Sequence, residues 1–182
     1  MRLFAGIELD DTVRAACVNA QNRLRAANVD ARYEPAEKLH VTLAFLGRIE
    51  AERRDDVNDV LRDAAARHTP FEIPFDRLGA FPNTRRPRII YVGCYEAGAE
   101  FRTLSQHLRD AYRDRDFSFE ADAVAHVTIA RVKGGSSKPL PMLDVAPATL
   151  RVAQLVMFES LAHAGSTRYE VRERYDLSAA RS

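Results

Sequence analysis

Apolar positions alternate between two periods along the chain. Residues 2–9, RLFAGIEL, read as a short strand, and Val13, Ala16, Cys17, Ala20 and Leu24 then recur at helical spacing. That stripe predicts a helix over about 12–27, with Asp10 or Asp11 as its N-cap. LHVTLAFL at 39–46 reads as a strand closed by Gly47, and Val57, Val60, Leu61 and Ala64 mark a second amphipathic helix over about 51–67. FEIPFDRLGAF (71–81), the turn NTRRPR (83–88) and the β-type run IIYVGCY (89–95) follow. The second half repeats the alternation, with a helix at about 98–115, a strand at 124–132, a break GGSSKP at 134–139, and closing strands at about 150–159 and 168–177.

Strands alternate with helices, yet the closing strands lie so near each other in sequence that they should pair antiparallel. That favours an α+β fold over a wound parallel sheet. The segment 178–182 is expected to fray.

The segment HVTLAFLG at 40–47 returns 86 residues later as HVTIARVK at 126–133, identical at four positions. With five histidines in 182 residues, composition predicts roughly 0.02 chance repeats of His-Val-Thr. So long a period excludes a solenoid and suits a chain of two similar lobes, here expected to form one domain over 1–177.

Strand alternation puts His40, Thr42 and Ala44 on one face and Val41, Leu43 and Phe45 on the other. His126, Thr128 and Ala130 repeat the first set. Each strand should therefore show an imidazole, a hydroxyl and a small residue to solvent while packing a core behind. Across an approximate two-fold axis the two imidazoles would flank one bound group. Histidine titrates near pH 6.5, so one ring can be neutral while the other is protonated, the pairing that general base and general acid catalysis at phosphorus requires. Threonine hydroxyls two residues along could donate to phosphate oxygens. A single strand histidine is usually an ordinary polar surface residue, but structural symmetry gives no reason to keep an imidazole in both halves. Metal ligation would need a third ligand, and neither HExxH nor a His/Asp cluster at ligand spacing is present in the sequence.

Charge narrows the partners. Twenty-seven basic against 26 acidic residues leave a net charge of +1, too balanced for a protein that coats long nucleic acid, so any nucleic acid should be gripped locally. The apolar run at the N-terminus is short for a signal peptide and meets Glu8 and Asp10 at once, and no stretch approaches the roughly 20 apolar residues of a membrane span. A cytoplasmic protein is expected. Cys17 and Cys94 are isolated, which argues for reduced thiols.

The two motifs, HVTL at 40–43 and HVTI at 126–129, resemble the paired His-x-Thr/Ser-x motifs of the two-histidine (2H) phosphoesterase superfamily. Within it, the chain is similar to the bacterial RNA 2′,3′-cyclic phosphodiesterases, long labelled 2′-5′ RNA ligases. RLFAGIEL, LHVTLAFLG, GAFP with RPRIIYVG at 79–93, HVTIARV, LVMFESL and RYEVRERYDL follow that family in order and spacing. The resemblance implies a bilobal, pseudo-two-fold α+β fold, with antiparallel sheets lining a central cleft, helices packed outside, and no metal or cofactor. It implies hydrolysis of terminal 2′,3′-cyclic phosphates on RNA ends or small nucleotides to 2′-phosphomonoesters, by a chain that acts as a monomer. His40 would be the proton donor and His126 the proton acceptor, an assignment that rests on the resemblance because the two motifs look alike. Thr42 and Thr128 would hold the phosphate. Arg131 would contact substrate, although its strand parity sets it opposite His126, so a local bulge after Ala130 is required if it reaches the cleft.

Phe45 has two readings, an aromatic at the cleft mouth that stacks on a base or a core residue, and its parity favours the core. The cluster Arg85, Arg86 and Arg88 reads equally as a solvated turn or an RNA-backbone contact. His68 and His107 on helices and His163 in a turn are given no chemistry. Two other functions share the same residues: 2′-5′ ligation on the same histidine pair, and non-catalytic binding of RNA ends. No GxxxxGK[ST] loop supports ATP-driven ligation, and a binding module would tolerate loss of either histidine.

Overall fold

The computed structural model describes residues 1–117, 123–132, 138–163 and 166–178. In chain order the elements are β1 (Arg2–Glu8), α1 (Asp11–Ala26), β2 (Ala31–Tyr33), β3 (His40–Arg48), α2 (Arg54–Arg67), β4 (Phe71–Phe75) and β5 (Arg77–Phe81). They continue with β6 (Ile89–Gly93), α3 (Ala99–Arg113), β7 (His126–Val132), β8 (Ala148–Val152), β9 (Gln154–His163) and β10 (Ser166–Asp176). Single 3-10 turns at Ala36–Lys38 and Ala51–Arg53 lead into β3 and α2.

The helix α1 begins where the Asp10 carboxylate accepts a hydrogen bond from Val13 N at 2.8 Å. Asp11 in its first turn and Arg23 and Arg25 in its last complement the helix dipole. Its expected stripe, Val13, Ala16, Cys17, Ala20 and Leu24, is buried throughout. Burial pushes the Cys17 thiol up to about 12, so it stays protonated and inert.

Eight strands form one antiparallel sheet in the order β10-β9-β1-β3-β7-β6-β5, with β2 also pairing β7. At its centre β3 meets β7 through the pair Val41↔Val127, the middle residues of the two His-Val-Thr motifs. Equivalent residues facing each other on antiparallel strands are what a two-fold axis through that point demands. The helices obey it by crossing over: α1, which follows β1, packs on β7, and α3, which follows β6, packs on β3. One apolar cluster therefore joins both halves, drawing Ile7, Val41 and Leu43 together with Val92, Val127 and Ile129 over the three helices. The opposite face of the sheet carries a small aromatic cluster of Phe4, Val156 and Phe158 with Tyr169.

The run 71–81 and the expected strand 150–159 each turn a corner. Within 71–81, β4 pairs β8 in a separate two-stranded sheet while β5 pairs β6 in the large one, and Asp76 is the residue between them. Within 150–159 the change of sheet falls at Ala153, between β8 and β9. Both corners are pinned by backbone hydrogen bonds, Asp76 N to Gly93 O at 3.0 Å and Leu177 N to Ala153 O at 2.8 Å. Gly47 does not close β3: it continues the strand at φ 73°, a conformation that suits glycine. The break expected at 134–139 and the tail at 178–182 lie mostly outside the described residues; Ser178 N donates to Ala65 O at 3.1 Å. His163 is the last residue of β9 rather than part of a turn.

Candidate active site

A strand that alternated perfectly would bury Phe45 and Arg131. It does not alternate. On β1 and β3 the register runs Gly6↔Thr42 and then Ala5↔Ala44, skipping Leu43. On β6 and β7 it runs Tyr91↔Thr128 and then Ile90↔Ala130, skipping Ile129. Each motif strand thus carries an extra residue at the same place, a β-bulge that reverses the facing of the residues next after it, and β3 carries a second at Leu46, where Phe4↔Phe45 is followed by Leu3↔Gly47.

Three expectations change with it. Ala44 and Ala130 do not share the histidine face; with Leu43 and Ile129 they are buried in the core. Phe45 is not a core residue but 47% exposed. Both Phe45 and Arg131 line the same cleft as His40, Thr42, His126 and Thr128. The bulge that Arg131 requires lies one residue earlier than expected, at Ile129 and not after Ala130.

The second bulge is anchored from outside the sheet. The Ile129 carbonyl accepts from Glu34 N and from Gln21 Nε2, both at 2.9 Å, and Gln21 Nε2 also donates to Glu34 O at 2.7 Å. Gln21 is a buried polar residue on an otherwise apolar helix stripe. Replacing it with leucine removes the donor while keeping bulk, and the expected result is a loss of about 1–3 kcal/mol in stability, read from the urea midpoint.

Both imidazoles are held alike. His40 Nδ1 lies 2.6 Å from Lys38 O and His126 Nδ1 lies 2.8 Å from Val124 O, in each case the carbonyl two residues earlier. A carbonyl only accepts, so each Nδ1 carries the hydrogen and each Nε2 is the ring's working atom. His40 Nε2 sits 3.0 Å from Thr42 Oγ1. Aromatic rings hold the imidazoles in place: Phe4 and Tyr169 lie 4.9 and 5.2 Å from His40, and Phe81 and Tyr91 lie 5.1 and 5.4 Å from His126. Tyr91 can lie there because its ring crosses Gly79, where a Cβ would meet it at 2.3 Å.

Burial lowers the pKa of both histidines below the ordinary value. The Lys38 carbonyl and the Glu34 carboxylate partly restore His40, whereas His126 and Arg131 lower it further. At His126 the Val124 carbonyl opposes burial and Arg131 adds to it. Arg131 itself is oriented by Glu34, with Nε donating to Oε1 at 3.0 Å.

The structure brings all five expected site residues together. It adds Phe4, Glu34, Lys38 and Tyr169 to the lining. Phe4 was within reach of sequence reasoning, because period-two alternation sets it opposite Leu3 and Ala5. Glu34, Lys38 and Tyr169 come from a loop, a 3-10 turn and a distant strand, and nothing in their local sequence marks them. Arg85, Arg86 and Arg88 are exposed on their turn, organised by Asn83 Oδ1 accepting from Arg85 N and Arg86 N, and none of them lines the cleft. His68 Nε2 lies 3.1 Å from His107 Nδ1, between α2 and α3 and away from the cleft.

Residues 7–91 match the family model described as LigT like Phosphoesterase. The RNA 2′,3′-cyclic phosphodiesterase of Archaeoglobus fulgidus is 33% identical over 133 residues, 73% of either chain. That of Methanothermobacter thermautotrophicus is 32% identical over 134 residues, 74% of this chain and 72% of the relative. Among solved structures, TT0787 of Thermus thermophilus superposes with a TM-score of 0.81 at 27% identity over the full length of both chains. LigT of E. coli complexed with 3′-AMP gives 0.82 at 24% identity over 97% of each, a likeness of fold.

Proposed function

Because the chain belongs to the LigT-like phosphoesterase family, we propose that it is an RNA 2′,3′-cyclic phosphodiesterase, with His40 and His126 as its acid and base. The observation that carries this reading is the matched pair of imidazoles, each tied through Nδ1 to a backbone carbonyl and lining one cleft with a threonine beside it.

The reaction follows from those atoms. His126 Nε2 takes a proton from water as the water oxygen bonds to phosphorus. The bond from phosphorus to the 3′ oxygen breaks, and His40 Nε2–H delivers its proton there, leaving a 2′-phosphomonoester. Giving the acid role to His40 is supported by Glu34, whose carboxylate favours the charged ring. Until the leaving oxygen arrives, Thr42 Oγ1 is placed to accept the Nε2 hydrogen of a protonated His40. Thr42 and Thr128 then donate to non-bridging phosphate oxygens, and Arg131 neutralises the charge that builds on them. Proton transfer by two side chains makes no use of a metal, and among the described residues no three His, Cys, Asp or Glu side chains gather to hold one. Residues 1–177 act as one domain and one monomeric unit in the cytoplasm. Among the described residues no helix is long and apolar enough to cross a membrane.

The test is product identity. A nucleoside 2′,3′-cyclic phosphate incubated with the protein and EDTA is expected to yield the 2′-nucleotide, resolved from the 3′-nucleotide by chromatography. A 3′-nucleotide product would reverse the leaving group, and loss of turnover in EDTA would overturn the metal-free mechanism.

A further inference from the structure

A second cavity, of about 410 Å³, opens beside the catalytic one. Arg32 and Thr167 belong to it alone, whereas Glu34, Lys38, Arg131 and Tyr169 line both. Whatever fills it is therefore continuous with the group between the histidines.

Strand register explains its charge. The short strand β2 pairs β7 with Arg32 directly opposite Arg131. Residues so paired point to the same face, where like charges destabilise the sheet. One carboxylate serves both: Glu34 Oε1 is 3.0 Å from Arg131 Nε and 4.0 Å from Arg32 Nη2. Arg32 keeps 65% of its side chain exposed, so the longer contact is a weak, solvent-screened one. Lys38 adds a third cation to the same lining. Among the described residues that line the cavity three cations stand against one carboxylate, and the complement of such a lining is a phosphate anion.

We propose that this cavity is the subsite for the phosphate on the 5′ side of the terminal nucleoside, held by Arg32 and Lys38. The proposal rests on the cyclic phosphodiesterase reading of the adjoining cleft. Arg131 and Glu34 form the wall between the two cavities, Arg131 facing the cyclic phosphate and Arg32 the phosphate that precedes it. A negative charge arriving between the two arginines relieves the repulsion that Glu34 partly offsets.

Three substrates separate the possibilities: a nucleoside 2′,3′-cyclic phosphate, the same compound carrying a 5′-phosphate, and a dinucleotide ending in the cyclic phosphate. Both substrates with a 5′ phosphate are expected to show kcat/KM about tenfold above the first, with the advantage shrinking as salt is raised. Arg32→Ala is expected to remove that advantage through KM and to leave turnover of the plain nucleoside cyclic phosphate within about twofold. Equal kcat/KM for all three, or an Arg32→Ala loss shared by all three, would overturn the subsite while leaving the hydrolase intact. An advantage confined to the dinucleotide would overturn the phosphate assignment, because a neighbouring nucleoside would then be the group recognised. No turnover of any of them would overturn the reading of the cleft and the subsite with it.

Discussion

Replacing His40 or His126 with alanine is expected to lower kcat on a nucleoside 2′,3′-cyclic phosphate by about 10²–10⁴-fold each. The double replacement should be little slower than the worse single one. In the proposed mechanism both rings act in a single displacement, one taking the water proton as the other protonates the leaving oxygen, so losing either already forfeits the concerted path. Neither ring is part of the main core. Each is half-buried at the cleft, on the face of the sheet opposite Val41 and Val127, and alanine at either site should leave the far-UV spectrum unchanged. His40→Ala gives up ring contacts with Phe4, Phe158 and Tyr169, so some loss of thermal stability is expected there. His40→Gln keeps most of the bulk and separates that loss from the catalytic one. Retained turnover in a folded single variant would refute the two-histidine mechanism.

The histidine pair of the cleft was legible in the sequence because two copies of a rare triplet constrain each other. The duplication implied a two-fold arrangement, and the Val41↔Val127 pairing is its structural counterpart. The bulges were not legible. Leu43 and Ala44, like Ile129 and Ala130, are apolar neighbours, and nothing in residue type says that two in a row will point inward. The cost was an inverted facing for Ala44, Phe45 and Ala130, and for Arg131 a bulge placed one residue too late. The sheet changes at Asp76 and Ala153 were hidden for a related reason, since a corner that takes one residue leaves an apolar run looking continuous. The strand β2 is three residues long and has no period to detect. It nevertheless sets Arg32 beside Arg131 and brings Glu34 to both, so the charge balance of the cleft depends on the element the sequence showed least.

The second large effect is on pH dependence. Burial lowers both histidines, Arg131 lowers both further, and His126 disfavours a charge on His40. The productive form carries one proton shared over the pair, which titrates in two macroscopic steps. Because burial first, and the neighbouring cations after it, disfavour protonation, the step that removes the acid's proton falls below the ordinary histidine value of about 6.5. The kcat/KM profile of the free enzyme is therefore expected to be a bell with its maximum on the acid side of about pH 6.5, already declining at pH 7. A bound phosphate anion acts in the opposite direction and favours the charged rings, so the kcat profile should lie at higher pH than that of kcat/KM. Arg131→Ala separates electrostatics from substrate contact. It should raise KM by removing a phosphate ligand and also move the kcat/KM bell toward alkaline pH by removing a positive charge that acts on both rings. Rate measurements from about pH 4.5 to 8.5 on both proteins decide the matter. A wild-type maximum above about pH 7.5, or an Arg131→Ala bell that stays in place while KM rises, would mean that the guanidinium binds substrate without setting the protonation of the pair.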